Sequence, residues 1–151
     1  MADVHSKETR SKNMAAVRNK NTKPELMIRK DLHRLGFRYR LHANNLPGKP
    51  DLVLPKYRAV IFINGCFWHQ HDCHLFKWPS TRKEFWESKI NGNKVRDIET
   101  AKQLRSMGWR VLTIWECSLK GKSRLPLDDL LSIVSNWIEE GSDEQEVRGE
   151  I

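Results

Sequence analysis

Hydrophobic and polar positions along the 151 residues change period several times, and each change marks an element. Thr22-Lys23-Pro24-Glu25 reads as a capping box with proline in the first turn. Ile28, Leu32 and Leu35 then recur at helical spacing until Gly36, a good stop. Residues 37–41 (F-R-Y-R-L) alternate apolar and basic, the pattern of a half-exposed strand, and 44–49 form a loop. Pro50 cannot donate to a ladder and suits a strand's first position; Asp51 then leads Leu52, Val53 and Leu54. Pro55-Lys56-Tyr57-Arg58 turns the chain into residues 59–63 (A-V-I-F-I), apolar enough for a central strand.

A second capping box, Thr81-Arg82-Lys83-Glu84, opens a helix carrying Phe85, Trp86 and Ile90, with an interruption expected near Asn91-Gly92. Another helix over about 95–107 stops at Gly108. Residues 109–115 (W-R-V-L-T-I-W) form a strong strand, and Leu127, Leu130, Leu131, Val134, Trp137 and Ile138 make a helical stripe. The order is helix, three strands, helices, strand, helix. It predicts an α/β domain over residues 21–140, one mixed sheet flanked by helices. The fourth strand follows long helices, so it enters in parallel through a crossover and brings Cys117 back toward Cys66.

Charge adds a partner. The net charge is +8 and the isoelectric point about 9.6. Beyond residue 138 six acids face one base, a net −5, so residues 1–138 carry +13. A body this basic favours a polyanion, nucleic acid first. Residues 141–151 are expected to be a disordered acidic tail. Residues 1–20 are a polar arm whose basic stretch from Ser11 holds only Met14, Ala15 and Val17 as apolar content; it is either frayed or a DNA-contacting arm. No run reaches membrane-spanning length and no signal peptide is visible, so a cytoplasmic protein without a membrane partner is expected.

The chemistry gathers between residues 48 and 73. The hairpin places the Asp51 carboxylate beside Ile63 and Asn64, where a carboxylate and exposed main-chain carbonyls suit a hard cation such as magnesium. A carboxylate on an apolar strand would otherwise be costly. Glu25 is either the return acceptor of its capping box or a second carboxylate at this site. Three cysteines are odd in number and favour metal over disulfides. Cys66, Cys73 and Cys117 leave one position of a tetrahedral zinc site for a histidine, with His69, His71 and His74 as rivals. A spare imidazole beside a cation is a potential general base. Phe67, Trp68 and Trp86 either pack or wedge between base steps. Lys89 and Asn93, one turn apart, are either solvated or within reach of base edges.

Several long motifs in order resemble the very short patch repair (Vsr) endonucleases, within the wider restriction-endonuclease-like fold. They are S-K-N-M from Ser11, L-P-G-K-P-D-L-V from Leu46, V-I-F-I-N-G-C-F-W-H-Q-H-D-C from Val60, F-K-W-P-S-T-R-K-E-F-W from Phe76, K-I-N-G-N at Lys89, and G-W-R-V-L-T-I-W-E-C ending at Cys117. The resemblance covers roughly residues 1–138. It implies an enzyme that nicks one strand 5′ to the T of a T:G mismatch left by deamination of 5-methylcytosine. It implies magnesium on Asp51 and the Ile63 carbonyl, His69 as base, and Glu25 acting through its surroundings. It implies zinc on Cys66, His71, Cys73 and Cys117. Phe67, Trp68 and Trp86 correspond to intercalating aromatics, Met14 to an arm residue entering the opposite groove, and Lys89 and Asn93 to readers of the mismatch. The expected partner is double-stranded DNA with a T:G mismatch, with mismatch-repair proteins as candidates; one mismatch is asymmetric, so a monomer is expected.

Two departures matter. The wider fold carries an acid-x-Lys where this chain has Ile61-Phe62-Ile63, a substitution the Vsr family shares. Asn64 stands where histidine is expected, and an amide supplies no ionisable proton to a leaving group. A zinc-braced DNA-binding module without catalysis, and a restriction-type nuclease cutting unmodified sites, are the alternatives. The first has no need of Asp51 or His69, and intercalating aromatics suit the second poorly.

Overall fold

A computed structural model of the chain describes residues 23–66, 73, 77–120 and 122–149. The first helix, α1 (Lys23–Arg34), buries Ile28 and Leu32. Leu35, expected on the same stripe, lies past the helix end and is 52% exposed. Gly36 takes φ +101°, which a residue with a Cβ adopts at a cost. The amides of Gly36 and Phe37 then reach the carbonyls of His33 and Leu32, both at 3.0 Å, which closes the helix as a Schellman motif.

Residues 37–41 supply only a two-residue strand, β1 (Arg40–Leu41). Phe37 serves the core instead, and the Tyr39 hydroxyl ties back to the Arg29 carbonyl at 2.6 Å. The hairpin has the expected form: β2 (Leu52–Leu54), a 3₁₀ turn (Pro55–Tyr57) and β3 (Ala59–Asn64). Arg58 closes the turn in the left-handed region at φ 52°. The crossover is also as expected, since β4 (Arg110–Trp115) lies parallel to β3 with Asn64 opposite Trp115.

Asn91-Gly92 does not interrupt the crossover. One 24-residue helix, α2 (Lys83–Ser106), runs through it, held at Ile90, Ala101 and Leu104. A single helical glycine costs about 1 kcal/mol, less than that anchoring supplies. A Cβ at Gly92 would meet only the Arg96 guanidinium, at 3.5 Å. Gly92→Ala is therefore expected to stabilise the fold by roughly 0.5–1 kcal/mol, seen as a melting temperature higher by a few degrees; a decrease would mean that the glycine relieves a strain. The second capping box does not form either. Arg82 is the N-cap, in the left-handed region with no side-chain cap, and its guanidinium lies 4.5 Å over the Phe85 ring.

The helix α3 (Leu127–Glu140) follows its predicted stripe, with Leu130, Leu131, Val134, Trp137 and Ile138 buried. Beyond it the expectation of a disordered tail fails. Glu144–Val147 forms β5, parallel to β4, with Val147 in the core. Acidic composition hid this strand, because an edge strand needs main-chain pairing and only one buried side chain. The indole of Trp137 donates to the Ser142 carbonyl at 3.1 Å, and that of Trp115 to Glu146 at 3.0 Å.

The sheet order is β1-β2-β3-β4-β5, antiparallel on the β1–β3 side and parallel on the β3–β5 side. Side chains alternate across it. Leu52, Leu54, Ile61, Leu112 and Ile114 meet α1 and α3 on one face. Val53, Val60 and Val111 meet Leu104 of α2 on the other. Among the described residues no helix is long and apolar enough to cross a membrane.

Candidate active site and thiol cluster

The β1–β2 ladder pairs Leu41 with Leu52, so the next two residues, His42 and Asp51, also face each other. The His42 amide donates to the Asp51 carbonyl at 3.1 Å. Asp51 then turns its side chain toward the end of β3, where its Oδ2 accepts the Ile63 amide at 2.7 Å. This is the juxtaposition expected from the hairpin. In a strand the amide and carbonyl of one residue face the same neighbour, so the Ile63 carbonyl lies on the Asp51 edge.

Glu25 reaches the same place from α1. It is 2% exposed, and its Oε2 accepts from Arg29 at 3.0 Å and pairs with His42 Nε2 at 2.7 Å. Ligand atoms of Glu25, His42 and Asp51 all lie within 4.8 Å of one another. Burial pushes the Asp51 carboxyl up to about 6; the Ile63 amide opposes this, Glu25 adds to it and His42 opposes it. A partly desolvated carboxylate with another acid beside it is a place where a cation is favourable. His42 was missed in the sequence. The available signal was register, since a strand ending at Leu41 opposite Leu52 puts its next residue across from Asp51.

The cysteines gather at the other chain exit on this end of the sheet. Asn64 and Trp115 are paired, and two residues beyond them come Cys66 and Cys117. The Cys66 amide donates to Glu116 Oε1 at 3.2 Å. Cys73 returns to join them, and the three sulfurs lie within 4.8 Å of one another with no disulfide among them. Sulfurs bound at about 2.3 Å around a tetrahedral ion sit roughly 3.8 Å apart, so the cluster fits a zinc-like ion. Burial, with Cys73 beside them, pushes the Cys66 and Cys117 thiols up, which favours their protonated form in the absence of a cation. The tail contributes here as well: the Gly149 amide donates to Cys117 Sγ at 3.3 Å. Nothing in the acidic composition signalled that contact.

Trp86, Lys89 and Asn93 occupy the N-terminal half of α2. The rings of Phe85 and Trp86 meet edge-on at 5.2 Å, Lys89 Nζ lies 6.0 Å from the Phe85 ring centre, and Arg96 donates to Asn93. Asn64 is half-buried at the end of β3. The expectations placed on Met14, Phe67, Trp68, His69, His71, His74, the arm 1–20 and Thr22 lie outside the described residues.

The chain is 47% identical over 138 residues to DNA mismatch endonuclease Vsr of Escherichia coli (strain K12), a match covering 91% of this chain and 88% of that protein. It belongs to the Vsr family of DNA endonucleases. The family model described as DNA mismatch endonuclease Vsr matches residues 2–75. Type II nicking enzyme V.XorIIP of Xanthomonas oryzae pv. oryzae is 45% identical over 79% of this chain and 88% of its own. The catalytic domain of homing endonuclease I-Bth0305I superimposes with a TM-score of 0.51 at 23% identity, covering 81% of this chain and all of that one. The chain therefore has the fold of a homing-endonuclease catalytic domain, in keeping with the restriction-endonuclease-like fold that its sequence resemblance implied.

Proposed function

We propose that this protein nicks one strand of duplex DNA 5′ to the T of a T:G mismatch by magnesium-dependent hydrolysis. The observation that carries the reading is the Asp51 carboxylate fixed by the Ile63 amide at 2.7 Å, beside the buried Glu25. In this reading Asp51 and the Ile63 carbonyl hold the magnesium, and Glu25 acts through its surroundings. The ion, when bound, activates water and stabilises charge on the scissile phosphate. His69 takes the proton of the attacking water; the new bond forms between the water oxygen and phosphorus, the bond to the leaving sugar oxygen breaks, and that oxygen takes a proton from solvent water. Zinc on Cys66, His71, Cys73 and Cys117 braces the loop that carries His69. Phe67, Trp68 and Trp86 wedge beside the mismatch, Met14 enters from the opposite groove, and Lys89 and Asn93 read the pair. A monomer suffices for an asymmetric target.

The test is nicking of matched duplexes carrying T:G or C:G, with magnesium or a chelator, by the parent and Asp51→Ala. A single nick beside the T, lost with the chelator and with the variant, is expected. Tight mismatch binding without any nick would favour a binding module, and equal cutting of C:G a restriction-type nuclease.

Asn64 cannot protonate the leaving oxygen. The parent is expected to be active without that help, and Asn64→His to nick at least as fast in single-turnover assays. A slower histidine variant would count against this account of position 64.

A further inference from the structure

His42 is the one side chain of the Glu25–His42–Asp51 trio to which the preceding reading gives no role. It sits where β1 ends, at φ 45°, a left-handed conformation that costs a non-glycine residue on the order of 1 kcal/mol. That conformation lets its amide bond the Asp51 main chain while its ring turns to Glu25. The ring is largely enclosed, with 16% of the side chain exposed.

The spacing is short enough for these atoms to share one ion in place of the hydrogen bond that now joins His42 to Glu25. Ligands held about 2.1 Å from a six-coordinate ion lie ~3.0 Å apart at adjacent corners and ~4.2 Å at opposite ones. His42 Nε2 and Glu25 Oε2 are 2.7 Å apart, and the Asp51 carboxylate completes a set within 4.8 Å. If His42 only braced Glu25, it would duplicate Arg29, which already donates to the same oxygen at 3.0 Å.

We propose that His42 is a ligand of the cation held by Asp51, which makes the centre a mixed nitrogen–oxygen site that holds Mn²⁺ more tightly than Mg²⁺. The proposal rests on the reading of Asp51 as the cation-binding carboxylate. Magnesium keeps its waters and takes oxygen ligands; manganese shares that taste for oxygen but, as a first-row transition ion, accepts an imidazole nitrogen more readily than magnesium does. The nitrogen therefore adds affinity for manganese that an all-oxygen site lacks.

The experiment titrates Mn²⁺ into the full-length, zinc-loaded protein and reads free ion by electron paramagnetic resonance. Mg²⁺ is followed by competition. Pulsed resonance on the bound Mn²⁺ then reports whether an imidazole nitrogen is directly coordinated. The parent is expected to show nitrogen coupling. His42→Gln, which keeps an amide donor for Glu25, is expected to lose the coupling and to weaken Mn²⁺ about tenfold or more, with Mg²⁺ changed less than about threefold. The parent spectrum does not depend on any variant folding, and absence of nitrogen coupling there overturns the proposal. Coupling that persists in His42→Gln at unchanged affinity overturns it too, since the nitrogen then belongs to another imidazole. Asp51→Asn separates the two readings. If it abolishes cation binding while His42→Gln changes nothing, only the role of His42 falls. If Asp51→Asn binds as the parent does, the cation reading of Asp51 falls and takes this one with it.

Discussion

Asp51→Asn is expected to abolish nicking and, in a chelator at pH 7–8, to melt at a higher temperature than the parent. Both effects come from one carboxylate. Burial lifts the Asp51 carboxyl from near 3.8 to about 6 in the folded chain. The folded state thus holds this proton more tightly than the unfolded state does. At pH below about 4 the group is neutral in both states and costs nothing. As pH rises from about 4 to 6 the unfolded chain ionises first, so stability falls, and above about 6 the whole penalty is present. Two pK units set a ceiling of roughly 3 kcal/mol, which relaxation around the site lowers. Asparagine keeps an oxygen for the Ile63 amide and carries no charge. A gain of about 1–2 kcal/mol corresponds to several degrees for a chain of this size.

The gain should shrink as the comparison moves from pH 7 to pH 4. It should also shrink when magnesium is added, because a bound cation stabilises only the parent. Calorimetry at three pH values, with and without magnesium, checks the pattern. An asparagine variant less stable than the parent in chelator at pH 8 would overturn the assignment of strain to this carboxylate.

Removing the metal proposed for the thiol cluster is the second large effect expected. Cys66 and Cys117 join the ends of β3 and β4, and the Gly149 amide fastens the residues after β5 to the same sulfur. Without the ion, three thiols crowd a partly buried space within 4.8 Å of one another, with only weak thiol hydrogen bonds among the described residues to hold them together. A thiophilic chelator is expected to release one equivalent of zinc and lower the melting temperature by more than about 10 °C, since a tightly held ion stabilises only the folded state. Cys117→Ala is expected to behave like the stripped parent and to show no further loss with chelator. Metal analysis beside the melting curve decides it. A chelated protein that keeps its melting temperature would mean that the sulfurs are only core packing.

The hairpin of the candidate site was legible in the sequence because two strong local signals agreed. Pro55 to Arg58 can only turn, and apolar runs on either side can only pair, so Asp51 had to meet Ile63. The meeting of Cys66 and Cys117 followed from a crossover that forces parallel strands. His42 stayed hidden because residues 37–41 alternate as a five-residue strand would, whereas Phe37 was needed at the end of α1 and only Arg40 and Leu41 joined the ladder. The site residue came from register, which a single strand does not display. Asn91-Gly92 misled for a different reason: local propensity is worth about 1 kcal/mol, and Ile90 on the buried face outweighs it. The segment beyond Gly141 misled because its acids are solvated in either state, and one valine decides the outcome.

That last strand also changes how the molecule meets its substrate. Asp143, Glu144 and Glu146 are fixed at one border of the sheet, while Arg38 and Arg40 stand at or beside the opposite border. Five strands spaced about 4.8 Å apart separate these borders by roughly 19 Å, two Debye lengths at physiological salt. A polyanion approaching the molecule is therefore expected to meet the β1 border, with Asp51 behind it, more readily than the β5 border, the more so where Arg105 does not offset Glu144. Anchored acids act as a rudder, and their contribution is read in the salt dependence of the association rate rather than in the lifetime of the bound complex.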